Sequence, residues 1–287
     1  MNTNTYTALI TPFKNNKIDE KSYEKIINFQ IDNGVDGIVP CGTTGESPTL
    51  SHEEHNRLVE IAVKIANKKI KVMAGTGSNS TAEAVYLTNH AKKIGADSCL
   101  IVAPYYNKPT PEGIYQHFYE LNKCNIPLII YNIPGRSVIN INDKTLARIA
   151  QLDNVVGIKD ATGDLARIAS LRLLIKKDFL FLSGEDATAV GFNAMGGNGI
   201  ISVTSNLLPK LVSDLQKSCA NFDYKTALEI QDKLTNFHAT MFHETNPIPV
   251  KYGAFLMGLC ENEIRLPLTL PSIELQQNIK NLIEKYI

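Results

Sequence analysis

Short apolar runs alternate with amphipathic, helix-patterned stretches eight times along this chain of 287 residues. Nothing else in the sequence narrows the fold as far. The apolar runs occupy residues 7–12, 37–41, 71–75, 98–104, 127–132, 155–159, 179–183 and 199–204. Helical patterns near 20–33, 52–67, 81–94, 112–123, 143–150, 164–175, 187–194 and 209–219 separate them. A strand apolar on successive residues is buried on both faces, as in a parallel sheet covered by helices. Eight regular strand–helix units predict an α/β fold, a closed (β/α)8 TIM barrel. The rival is an open doubly wound sheet, against which stands the lack of a GxGxxG after the first strand. Asn33-Gly34-Val35-Asp36 before strand 2 echoes Ile94-Gly95-Ala96-Asp97 before strand 4. Each glycine suits the residue just past a helix end.

Beyond residue 220 the strands stop. Residues 223–243, 249–260 and 272–286 read as helices, with the linker Asn246-Pro247-Ile248-Pro249 among them. The expected division is a barrel over 1–222 and a C-terminal helical appendage over 223–287. Formal charge is zero and the pI is about 7.0, with no basic stripe or acidic tail, so neither nucleic acid nor a membrane surface is an expected partner. No apolar run is long enough to span a bilayer, and Met1-Asn2-Thr3-Asn4-Thr5 lacks the charged and apolar regions of a secretory signal. Five scattered cysteines without a CxxC read as reduced thiols in a cytoplasmic protein.

In such a barrel, chemistry gathers at the C-terminal ends of the strands. Strand 6, Val155-Val156-Gly157-Ile158, is closed by Lys159. A lysine there faces low dielectric, which disfavours an ammonium, and a neutral amine can attack a carbonyl carbon. The plainer reading is that Lys159 reaches out and pairs with Asp160. The other strand ends bear on the choice. Strand 2 runs into Gly42-Thr43-Thr44-Gly45-Glu46-Ser47, strand 4 into Pro104-Tyr105-Tyr106-Asn107, strand 5 into Tyr131-Asn132-Ile133-Pro134-Gly135-Arg136-Ser137, and strand 7 into Gly184-Glu185-Asp186. A packing explanation covers one polar strand end more easily than five.

Thr43 and Thr44 sit between glycines and suit a small anion. Ser51-His52-Glu53-Glu54 is the better helix cap. Tyr131 reads either as a buried structural tyrosine or as a proton donor to a reacting carbonyl. Arg136 reads as an exposed turn residue or as a planar fork for a carboxylate. The Gly-rich Met195-Gly196-Gly197-Asn198-Gly199 precedes its strand, so it lies at the wrong end of the barrel and reads as a tight turn. His52-Glu53-Glu54-His55 lacks the HExxH spacing, and no metal is expected. Lys14-Asn15-Asn16-Lys17 reads as a polar turn with a solvated amine.

At these residues the chain closely resembles the dihydrodipicolinate synthase family of class I pyruvate aldolases, whose superfamily also contains N-acetylneuraminate lyase. The resemblance covers essentially the whole chain and includes Gly157-Ile158-Lys159-Asp160-Ala161 and Asn246-Pro247-Ile248-Pro249-Val250-Lys251. It implies condensation of pyruvate with aspartate semialdehyde through a lysine Schiff base, the committed step of diaminopimelate and lysine biosynthesis, with no cofactor. Lys159 then forms the imine, Thr43 and Thr44 hold the pyruvate carboxylate, and Tyr131 shuttles protons. Thr43 links Tyr131 to Tyr106, which reaches into a neighbouring subunit's site. Arg136 takes the second substrate's carboxylate, and the backbone of Ile201 faces the substrate. A homotetramer built as a dimer of dimers is implied. Ser47, Pro48, His52, His55, Asn79, Glu83 and Tyr105 match positions lining the pocket for L-lysine in members inhibited by it. Two other readings stay open: a different pyruvate-imine aldolase, such as N-acetylneuraminate lyase or a 2-keto-3-deoxy sugar acid aldolase, and a barrel that senses a keto acid or amino acid without turnover.

Overall fold

A computed structural model describes residues 3–286; Met1 and Asn2 of the N-terminal stretch and Ile287 of the appendage lie outside the described residues. Eight parallel strands close into a barrel: β1 (Asn4–Ala8), β2 (Gly37–Val39), β3 (Lys71–Gly75), β4 (Ser98–Val102), β5 (Leu128–Asn132), β6 (Val155–Asp160), β7 (Leu180–Ser183) and β8 (Gly199–Ser202). Each strand pairs with its sequence neighbours, and β1 closes the ring by pairing with both β2 and β8. The helices between them are α1 (Glu20–Asp32), α2 (His52–Ala66), α3 (Thr81–Ile94), α4 (Pro111–Asn122), α5 (Asp143–Ile149), α6 (Leu165–Leu174), α7 (Ala189–Ala194) and α8 (Pro209–Ala220). Three more follow: α9 (Tyr224–Met241), α10 (Ile248–Leu256) and α11 (Ile273–Tyr286).

The period-2 pattern of a strand sorts its side chains onto two faces. On β5, Leu128 and Ile130 point outward to the helices, while Ile129 and Tyr131 point into the barrel with Tyr6, Ala8, Val39, Met73, Leu100, Leu182 and Ile201. The interior is therefore a packed plug of side chains, and Lys159 lies in its uppermost layer, paired across strands with Tyr131 and Leu182.

Side-chain caps fix where the helices begin. Ser51 and Glu54 form the expected capping box on α2. Asp19, Ser80, Thr110, Asn142 and Asp164 cap α1, α3, α4, α5 and α6. Gly34 and Gly95 take positive φ just past α1 and α3, as the repeated motif requires. The Met195–Gly199 stretch is a tight turn entering β8. Lys14-Asn15-Asn16-Lys17 is the tip of a small antiparallel hairpin whose two asparagines adopt positive φ.

Several expected boundaries move, strands 4 and 8 ending at Val102 and Ser202 rather than at residues 104 and 204. Strand 1 is Asn4–Ala8 rather than residues 7–12. Of its buried threonines, Thr7 finds a side-chain partner: its hydroxyl donates to Gln30 Oε1 at 2.6 Å. Past the assigned strand the Leu9 amide still donates to the Val39 carbonyl at 3.1 Å, and on the other side Asn206 stands in for a strand, accepting from the Ile10 amide at 3.1 Å and donating to the Ala8 carbonyl at 2.8 Å. Strand 2 stops at Val39, because Cys41 turns the chain at φ 55°. Helix α10 ends at Leu256 rather than residue 260, two residues before Gly258 at φ 66°.

Candidate active site

The ends of β2, β4 and β5 surround a pocket of about 210 Å³ lined by Thr43, Ser47, Pro48, Gly77, Val102, Tyr105, Ile133, Arg136 and Ser137. Tyr131 and Lys159 are not in this lining; they sit in the top layer of the barrel interior, and Tyr131 pairs in register with the lining residue Val102. Lys159 is 6% exposed. Its Nζ lies 4.1 Å from the centroid of the Tyr131 ring. Gly184 makes room for it: a Cβ there would fall 2.7 Å from Ala161 Cβ and 3.0 Å from Lys159 Cε. Ile201 is buried in the same interior.

The expected alternative for Lys159, a salt bridge to Asp160, is not formed. Asp160 points to the other face of β6, where it meets Arg167 Nη1 at 3.3 Å and accepts from the Thr162 amide at 3.0 Å. Among the described residues, Lys159 and Lys251 are the two buried lysines. Lys251 is ion-paired with Glu46, whereas Lys159 has no carboxylate partner. Buried charges are ordinarily paired. The lysine that is not paired is the one facing Tyr131.

The Gly42–Glu46 loop folds on itself. The amides of Gly45 and Glu46 donate to Gly42 and Thr43 carbonyls at 3.1 Å each. Thr44 is buried and its Oγ1 accepts from Asn246 Nδ2 at 2.9 Å; Thr43 faces the pocket. Arg136 lies on a single helical turn, Pro134–Ser137, and its Nη2 donates to the Asn246 carbonyl at 2.9 Å. Asn246 thus ties together the residues expected to hold the two substrate carboxylates. Sequence reasoning gave it no role, nor one to Glu46 or Lys251. A cue existed for Lys251, a single charge in the otherwise apolar Ile248–Leu256, the same cue that marked Lys159.

Thr43, Tyr131 and Tyr106 make no hydrogen bonds to one another among the described residues. Tyr106 is 92% exposed, with φ 70°. Positive φ is uncommon for a bulky residue.

The expected effector residues do come together. His52 Nε2 is 2.6 Å from Glu83 Oε1, and the Ser78 hydroxyl also donates to Glu83. Ser78 and then His52 hold the Glu83 carboxyl below the ordinary range. Burial, followed by the charge of Glu83, raises the Tyr105 phenol. His55 is buried rather than solvated: its Nε2 donates to the Gly75 carbonyl at 2.8 Å, and burial keeps its pKa low. The Asn79 carbonyl accepts from Asn107 Nδ2 at 2.8 Å. Ser47, Pro48 and Tyr105 line the active pocket itself, so the two clusters share a wall.

Known proteins are similar to this chain over nearly its full length. A relative from Parvibaculum lavamentivorans, 4-hydroxy-tetrahydrodipicolinate synthase, is 54% identical over 276 residues, 96% of this chain and 95% of its own. A crystal structure of the chloride-inhibited dihydrodipicolinate synthase of Acinetobacter baumannii complexed with pyruvate superposes with a TM-score of 0.96 at 42% identity, covering 99% of this chain and 98% of that one. A dihydrodipicolinate synthase of Cyanidioschyzon merolae with lysine bound gives 0.95 at 34% identity, covering 98% and 97%. The model of the dihydrodipicolinate synthetase family matches residues 1–286. With a family model that spans residues 1–286 and relatives that cover nearly the whole chain, the chain belongs to the dihydrodipicolinate synthetase family.

Proposed function

We propose that this chain condenses pyruvate with aspartate semialdehyde to give 4-hydroxy-tetrahydrodipicolinate, with Lys159 as the imine-forming residue. The observation that carries the assignment of Lys159 is its burial without a counter-ion at the end of β6, beside Tyr131. The Lys159 amine attacks the pyruvate carbonyl carbon and water leaves. The protonated imine is an electron sink that acidifies the adjacent methyl group. Loss of that proton gives an enamine, which attacks the aldehyde carbon. The second substrate's own amine then adds to the imine carbon and expels Lys159. Splitting one carbon–carbon bond formation into these steps lowers each barrier.

Tyr131 moves protons at the imine carbon and the new alkoxide. Thr43 and Thr44 hold the pyruvate carboxylate, the Ile201 backbone faces it, and Arg136 takes the carboxylate of the aldehyde. An exposed Tyr106 completes the relay from a partner subunit, in a tetramer of two dimers. The barrel unit, 1–222, carries the reacting groups, and the appendage, 223–287, contributes Asn246 and Lys251. L-Lysine occupies the wall formed by Ser47, Pro48, His52, His55, Asn79, Glu83 and Tyr105 and inhibits turnover. No helix among the described residues is long and apolar enough to cross a membrane, and the five cysteines are free and buried; a cytoplasmic setting accords with both.

The test is borohydride reduction with pyruvate, then peptide mapping. The adduct is expected on the peptide containing Lys159, and Lys159→Ala is expected to fold and lose nearly all turnover. Trapping on another lysine refutes the assignment. Turnover with a sugar-derived aldehyde in place of aspartate semialdehyde points to the neighbouring aldolases.

A further inference from the structure

The second buried lysine has no part in the chemistry just described, yet it reaches the pyruvate loop. Glu46 ends that loop in the left-handed region, at φ 56° and ψ 36°. Glycine takes this conformation freely, and glutamate does so at a cost. Its side chain must therefore be what the position requires. That side chain is fully buried: one oxygen meets the Lys251 ammonium on α10, and the other accepts from the Arg265 amide at 3.1 Å. Lys251 Nζ and the Arg265 guanidinium lie 4.4 and 4.1 Å from the Phe13 ring centroid. Arg265 also donates to the Thr49 carbonyl and to Glu54, so the same anchor grips the chain just after the loop.

A buried ion pair is a poor source of net stability, because desolvating two charges offsets most of their attraction. Its return must be sought in geometry. The amides of Gly45, Glu46 and Ser47 are used inside the loop. Those of Thr43 and Thr44 take no acceptor among the described residues. A small carboxylate in the adjoining pocket would find these two N–H groups only while the turn at Glu46 keeps its left-handed form.

We propose that the buried Glu46–Lys251 pair is a positioning device for the keto-acid site, by which α10 holds the Thr43 and Thr44 amides toward the pocket. The proposal rests on the reading of Thr43 and Thr44 as the pyruvate carboxylate site. Among the described residues neither member of the pair is hydrogen-bonded or ion-paired to Arg136, so its influence falls first on the keto acid rather than the aldehyde.

The test uses the full chain with Glu46→Gln, Lys251→Met and the double variant, reading Tm, the KM of each substrate and borohydride trapping with pyruvate. Each single variant strands a buried group and lowers Tm. The double variant removes both charges and regains most of the Tm. All three are expected to need at least tenfold more pyruvate, with the aldehyde KM within twofold of wild type and trapping intact at saturating pyruvate. If the pyruvate KM recovers together with Tm in the double variant, or the aldehyde KM rises in step, the pair is structural and the proposal fails. Should the double variant not fold, Glu46→Gln decides by the same split between the two KM values. Absence of trapping in the wild type defeats the functional reading and this proposal with it. Normal wild-type trapping with unaltered variants defeats this proposal alone.

Discussion

A lone lysine in an apolar segment was the strongest sequence signal for chemistry, and at the scale of single residues it marks both Lys159 and Lys251. Only coordinates separate them, because what differs is a carboxylate from a distant part of the chain. Glu46 neutralises Lys251 across 205 positions, and nothing comparable among the described residues reaches Lys159. The same limit hid Asn246, whose two hydrogen bonds go to Thr44 and Arg136, 202 and 110 positions away. Residue types at strand ends were legible; the long-range partners that orient them were not. Arg136 gives a direct test. It holds to the scaffold through the Asn246 carbonyl, leaving other guanidinium donors for a carboxylate. Truncating a charged contact of this kind costs about 2–5 kcal/mol. Arg136→Ala should therefore lower kcat/KM for aspartate semialdehyde by about 30-fold or more at 1.4 kcal/mol per tenfold, while pyruvate trapping on Lys159 continues. Unchanged aldehyde kinetics would remove Arg136 from the site.

At the scale of elements, periodicity located all eight strands and the helices between them, and failed where side chains took over the work of the backbone. Strand 1 is the instructive case. The expected span, 7–12, starts too late: the ladder runs over Asn4–Ala8, with Thr7 bonded to a buried glutamine, and past it the Leu9 amide donates to the Val39 carbonyl while Ile10 is held by Asn206. Helices α2 and α3 carry the residues of the proposed lysine site next to the pocket. His52 on α2 and Glu83 on α3 meet at 2.6 Å, and Tyr105 stands between that pair and the pocket containing Thr43 and Arg136. A lysine ammonium arriving here finds Glu83 already engaged by His52 and Ser78, so it must replace partners rather than fill a vacancy. Wild type should be inhibited by millimolar L-lysine. Glu83→Ala should need at least tenfold more lysine for half-inhibition, with uninhibited kcat nearly unchanged. Rate assays across a lysine titration check this, and equal sensitivity of the two proteins would discard the site.

For the whole molecule, two properties follow from what the isolated chain leaves exposed and what it buries. Tyr106 projects 92% exposed on a backbone at φ 70°, with its expected relay partners Thr43 and Tyr131 unbonded to it. The proposed completion from a second subunit would make activity depend on association: dilution should abolish turnover in parallel with dissociation by sedimentation, and a fully active monomer would exclude that role. The buried histidines set the response to acid. Burial keeps the imidazoles of His55, His117 and His238 below the ordinary histidine range, with His117 at about 4. His117 Nδ1 meets the Thr81 hydroxyl at 3.0 Å, but its Nε2 is buried without a partner, so an imidazolium would carry one N–H with no acceptor. A histidine in the unfolded chain titrates near 6.5. Between pH 6.5 and about 4 the unfolded state therefore binds more protons, and the stability tied to a neutral His117 is lost as pH falls through that window. A gap of this size corresponds to about 3 kcal/mol. His117→Gln keeps a neutral polar side chain that takes up no proton. Its unfolding free energy, by urea titration, should fall less steeply than that of wild type between pH 7 and 4, where the proton uptake of His117 differs between the folded and unfolded states. Parallel curves over that range would show that His117 does not set the acid sensitivity of this barrel.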